Sequence, residues 1–198
     1  MTIINKIKWV IAVLLVFLIV LMTNLVDKEN FNRLKNSVTT IYEDRVVASD
    51  LIFDITLLIQ EKEIALATSD TAFFKSKNRK INEDIKDFIN KFEQTKLTTE
   101  EQETFNNLKT ELKKLYSLEE KYADSNFDND INLFKTIDDI VHDLHDLSKI
   151  QLKEGRRQIL LSKEAMKTIN LFTQVEIIIL IILAILIQII ILYKPKED

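Results

Sequence analysis

The stretch Ile41–Ile52, IYEDRVVASDLI, lies inside a run in which apolar residues recur at alternating spacings of three and four. Extended both ways, Phe31, Leu34, Val38, Ile41, Arg45, Ala48, Ile52, Ile55, Ile59, Lys62 and Leu66 make a heptad seam whose only charged positions are Arg45 and Lys62. That period predicts one long helix ending near Ala67. Arg45 is then an arginine in an apolar seam. A buried guanidinium is costly when unpaired, so it must meet a carboxylate, lie along the surface with its stem buried, or face a partner.

The rest of the chain reads the same way. One glycine and one proline in 198 residues leave almost no material for tight turns, which predicts an all-α fold. Thr68, Ser69 and Asp70 offer caps for a second helix with seam Phe74, Asn78, Ile81, Ile85, Phe88 and Phe92. Thr98 and Glu101 have the spacing of a capping box for a third, with seam Phe105, Leu108, Leu112, Leu115, Glu119 and Tyr122. After the polar segment Asp124–Asp130 a fourth helix carries Phe134, Ile137, Val141, Leu144, Ser148, Gln151, Gly155, Gln158, Ser162, Ala165, Ile169 and Phe172. Short connections between amphipathic helices predict an antiparallel up-down-up-down four-helix bundle.

Two stretches are long and apolar enough to cross a bilayer. Trp9–Val26 holds no charge and spans ~27 Å as a helix, and Ile177–Tyr193 is closed by Lys194, Pro195 and Lys196. The lysines Lys6, Lys8, Lys194 and Lys196 put both termini in the cytoplasm. The expected plan is a cytoplasmic N-terminus (1–8), a first span (9–26), an extracytoplasmic bundle (27–174, helices about 27–67, 70–96, 99–123 and 131–174), a second span (175–193) and a cytoplasmic tail (194–198). Helices 1 and 4 outreach helices 2 and 3 by roughly 20 Å, leaving a two-helix neck most economically covered by a second copy. Asn24 and Gln188 are the polar residues of the spans, the first an interfacial group and the second a candidate interhelical hydrogen bonder.

Counting rise along helices 1 and 4 places Arg45 level with Gly155, at the bundle-to-neck junction. A glycine inside a helix costs ~1 kcal/mol against alanine and invites a packing reason. The expectation is that Gly155, with Ser148 and Ser162, makes room for Arg45, which pairs with Glu154, Asp44 or an acid of a second protomer. The chain's two histidines, His142 and His145, stand beside Asp138 and Asp146 and are candidates for a divalent metal or a pH response, against the plainer reading of a solvated acidic face. No cysteine is present, and a net charge of -4 with interspersed signs offers no basic face for nucleic acid. No motif supplies a nucleophile or an acid–base pair in a pocket, so neither catalysis nor a cofactor is expected.

Span, bundle with long first and last helices, span: this layout resembles the four-helix-bundle sensor domain of methyl-accepting chemotaxis proteins. Tyr42, Asp44, Arg45, Val46 and Val47 in IYEDRVVASDLIFDI are similar to that family's first-helix signature of aromatic, acid, basic, Val, Val. The resemblance implies a bacterial cytoplasmic (inner) membrane, a bundle in the periplasm or outside, and ligands held between helices at a dimer interface, partly by arginines. Family members usually continue into a HAMP linker and a methyl-accepting coiled coil. Here Lys194–Asp198 follow the second span, so the expectation is a stand-alone sensor domain.

Two functions fit these readings. One is a chemoreceptor-like sensor or signal-transmitting subunit, homodimeric or of higher order, that acts through a separate membrane partner. The alternative is a structural or assembly subunit using the bundle and spans as docking surfaces in a larger membrane complex.

Overall fold

The computed structural model describes residues 3–125, 127 and 131–192; at 3–6, 8–10, 12, 13, 131, 184 and 186–192 it describes the backbone only. The elements are α1 (Ile3–Thr40), a π-helical turn (Ile41–Val46), α2 (Val47–Ala67), α3 (Thr71–Ser76), α4 (Asn78–Glu93), α5 (Thr99–Asp124) and α6 (Ile131–Leu192), with no strand among the described residues. The expected second helix is thus two, α3 and α4, separated at Lys77, whose own N–H still reaches the Phe73 carbonyl at 2.9 Å. The chain divides into two compact units, Thr39–Gln158 and the pair of segments Met1–Val38 with Ile159–Asp198.

Local chemistry sets the helix ends. Ser69 takes a left-handed φ of 52° just past α2, and the Asp70 N–H then reaches the Ala65 carbonyl while the Ser69 N–H reaches that of Leu66. This closes α2 as a Schellman motif with serine where glycine is usual. Asp70 turns at once to cap α3 through the Phe73 N–H at 3.1 Å. Because a β-carbon is disfavoured at left-handed φ, Ser69→Gly is expected to raise the urea midpoint, by up to about 1 kcal/mol in stability. At the start of α5 the Thr98–Glu101 capping box is complete in both directions.

Within the Thr39–Gln158 unit the core is one cluster. Ala48, Ile52, Ile55, Ile59 and Leu66 of α2 meet Ile81, Ile85 and Phe92 of α4, Phe105, Leu108, Leu112 and Leu115 of α5, and Ile137, Ile140, Leu144 and Leu147 of α6. Each such Ile, Leu or Phe side chain contributes about 1.5–3 kcal/mol by leaving water. The Phe92 and Phe105 rings lie 4.9 Å apart, and Phe74, Tyr122 and Phe127 close one end as an edge-on aromatic group.

Two seams differ from the periodic expectation. On α6 the expected Ile137, Leu144 and Gln151 are buried, together with Leu133, Thr136, Ile140, Leu147, Ile150 and Glu154, whereas the expected Phe134, Val141 and Gly155 are only half-buried and Ser148 is exposed. Adjacent pairs such as Leu133–Phe134 and Ile140–Val141 are both apolar, so two residues compete for every other seam position, and the earlier of each pair takes it. In the other unit Phe31 and Val38 are exposed, whereas Thr23 and Asn30 are buried, one residue before the expected phase. Ser162 and Ala165 of α6 are also buried there.

Candidate functional site

Arg45 is buried in the bundle unit and makes three hydrogen bonds to three separate segments. It is 6 % exposed and sits in the π-helical turn. Its Nη1 donates to Glu101 Oε1 of α5 and, at 3.0 Å, to Gln151 Oε1 of α6; its Nη2 donates to the Lys96 carbonyl at 2.8 Å. Gln151 Nε2 closes the triangle on Glu101 Oε1 at 2.7 Å. The other oxygen of Glu101 is held by the Thr98 N–H at 2.6 Å, so one fully buried carboxylate caps α5 and neutralises Arg45. Asp44, the neighbour of Arg45, accepts the Lys96 N–H at 3.0 Å. The pair therefore grips both polar groups of one peptide residue in the α4–α5 connection.

These partners correct the expected ones. Arg45 pairs with Glu101; Glu154 instead accepts from Arg157, one turn away on its own helix, at 2.7 Å. A Cβ placed on Gly155 would meet nothing within 4 Å, so the glycine makes no room for anything. The α6 residue level with Arg45 is Gln151, one turn earlier than the rise count placed it. Asp44 does belong to the node, through the Lys96 backbone rather than through Arg45. Glu101 was missed as a partner because its capping role already explained its presence.

A family model described as a four helix bundle sensory module for signal transduction matches residues 1–157, most of the chain and all of this node. The chain belongs to that family. No curated protein and no solved structure matches it. The family is one of sensory signalling and not of enzymes.

A second buried node lies elsewhere in this sensory module. Lys62 is wholly buried, and its Nζ donates to Glu119 Oε1 at 2.6 Å, to Asn82 Oδ1 at 2.6 Å and to Asn78 Oδ1. Glu119 Oε2 accepts from both asparagine amides at 2.9 Å, so all three ammonium protons and both carboxylate oxygens are satisfied. Burial pulls the Lys62 ammonium below its ordinary pKa, and the attraction of Glu119 only partly offsets this. The same burial, then Glu119, raises the Tyr116 hydroxyl well above its usual range.

The histidines of the module line an open groove of about 580 Å³ with Asn107, Glu111, Asp138, Asp139 and Asp143. His142 Nε2 is 3.4 Å from Asp146, whose other contact is Lys149 at 2.9 Å, and among the described residues no three His, Asp or Glu side chains converge on one point. Burial, then the Glu111 carboxylate, raises the pKa of Asp143; Asp139 and Asp146 push the same way and His142 opposes them. A carboxyl with a raised folded pKa weakens the fold once both states are ionised. Asp143→Asn is therefore expected to stabilise the chain at pH 7, by less than about 1 kcal/mol because the group is largely in water, and the gain should vanish below the ordinary value of 3.8. Urea titrations at the two pH values check this.

Of the intramembrane polar residues, Asn24 donates to the Val20 carbonyl of its own helix at 3.0 Å, and the side chain of Gln188 lies outside those described. Among the described residues one helix is long and apolar enough to cross a membrane, α6 over Asn132–Leu183, whose 18-residue window has mean hydropathy 1.8 and no buried position. Residues 193–198, and with them the expected cytoplasmic tail, also fall outside the description.

Proposed function

We propose that the chain is a membrane-anchored sensory subunit whose bundle receives a ligand or a partner outside the cytoplasm and passes the change to a separate membrane protein. The observation that carries this reading is the family match over residues 1–157. The proposed topology has spans at 9–26 and 175–193, both termini in the cytoplasm of a bacterium, and the bundle at 27–174. Exposed Leu14, Leu15, Phe17, Leu18, Met22 and Leu25 support a lipid-facing first span, as the α6 window supports the second.

An up-down-up-down order is supported by the polar pairs. From Arg45 to Lys62 the partners rise from Glu101 to Glu119 on α5, so those helices run parallel. Along the same path they fall from Lys96 to Asn78, and Lys153–Glu100 with Lys114–Asp139 run α5 against α6. On the side opposite the core, Tyr42, Val46, Phe53, Leu57 and Ile64 are exposed at spacings of four and seven, a second apolar stripe. A second copy covers it in this reading, since a symmetric contact of a stripe with itself closes as a dimer.

Reading the same stripe as a docking surface in a larger complex gives the assembly alternative. Detergent extraction of the full chain from its native membrane, with quantification of what accompanies it, separates the two. A homodimer whose melting temperature rises with a small molecule supports sensing. Stoichiometric foreign subunits without any such shift would replace it by assembly.

A further inference from the structure

The π-helical turn asks for an explanation of its own. Runs closed by i→i+5 bonds are rare and insert about one extra residue into a helix that is otherwise α. Ile41–Val46 is such an insertion: Thr40 before it and Val47 after it both keep α-helical angles, at φ/ψ of −60/−40° and −61/−43°. Neighbouring side chains on an α-helix diverge by about 100°. Here Asp44 and Arg45 converge on one residue, with Lys96 N–H on Asp44 at 3.0 Å and Lys96 C=O on Arg45 at 2.8 Å. Arg45 cannot follow a rewinding helix without leaving Glu101 and Gln151 as well.

Half of the seam before the turn is offset by one residue. From Arg45 onward Ala48, Ile52, Ile55, Ile59 and Lys62 are buried in heptad phase; continued backward, that phase calls for Ile41, Val38, Leu34 and Phe31, of which Ile41 and Leu34 are half-buried, while Val38 and Phe31 are exposed and Asn30 is buried instead. We propose that Ile41–Val46 is a one-residue register switch, latched in its π form by the grip of Asp44 and Arg45 on the Lys96 peptide. Releasing the latch lets the turn rewind to α, and one residue of rewinding exchanges the buried and exposed positions of the helix before it. The sensory reading supplies a use for this device, but the device stands without it.

The chain has no cysteine, so single-cysteine reporters are clean. In the full chain in lipid vesicles, Phe31→Cys is expected to react with a water-soluble maleimide much faster than Asn30→Cys. With Asp44→Ala added, loss of one charge-assisted hydrogen bond shifts the population toward the α form by about tenfold, and the ratio of the two rates falls accordingly. A second arm needs no latch variant. Deleting exposed Glu43 removes the inserted residue and should preserve the folded bundle, whereas deleting exposed Asp50 of α2 throws the seam out of phase and should not. An unchanged ratio in Asp44→Ala overturns the latch, and a Glu43 deletion as disruptive as the Asp50 deletion overturns the insertion. Both arms are read on the chain without ligand or partner, so they fail separately from the sensory reading.

Discussion

Lys62→Met is expected to lower the stability of the bundle by about 3–5 kcal/mol, because it strands a buried carboxylate. Glu119 is 5 % exposed and would keep only the amide donors of Asn78 and Asn82 in place of an ammonium. Against a total of about 5–15 kcal/mol for an ordinary domain, that is a large share. The double variant Lys62→Met/Glu119→Leu removes both charges and should recover most of the loss, since a buried ion pair replaced by apolar groups of similar volume is often neutral or better. Urea unfolding of the full chain in detergent, followed by helical circular dichroism, reads both. A double variant no better than the single one would mean that the asparagines, not the charges, carry the site.

Arg45→Met should cost a similar amount, about 3–5 kcal/mol, for the same reason at Glu101, which is wholly buried. It also leaves the Lys96 carbonyl without its donor. Arg45→Lys keeps the charge but loses the planar fork that serves three acceptors on separate elements, so an intermediate loss of about 1–3 kcal/mol is expected. If Arg45 only lay along the surface, methionine would preserve its stem contacts and the loss would be within about 0.5 kcal/mol.

The sequence made the helices and two of the seams readable, and particular residues show why. In α5 Phe105, Leu108 and Leu112 each stand between polar neighbours and admit a single phase; in α2 Ile52 and Ile59 have apolar neighbours in Leu51, Phe53 and Leu58, and Ile55, between Asp54 and Thr56, fixes the phase. In α6 the pairs Leu133–Phe134 and Ile140–Val141 offer two residues for every other position, and taking the later one put exposed Ser148 in the seam, while Ile137, Leu144 and Gln151 were placed correctly. A one-residue π insertion has no periodic signature beyond the polar Glu43–Asp44–Arg45 in a seam, so it was invisible to a count that assumes a constant rise. The partner of Arg45 lies 56 residues away in sequence, and no local pattern names it. One signal was present: the two basic seam residues, Arg45 and Lys62, are spaced almost as Glu101 and Glu119 are on α5, which is what two parallel helices joined by two ion pairs require.

The central claim is that Arg45 ties the π-helical turn to α5 through a buried carboxylate rather than serving a surface or a second protomer. A double-mutant cycle between Arg45→Met and Glu101→Gln in the full chain measures that tie, glutamine being able to keep the cap on Thr98 while losing the charge. A coupling of about 2–3 kcal/mol is predicted, and a coupling below about 0.5 kcal/mol, the additive behaviour of independent sites, would contradict it.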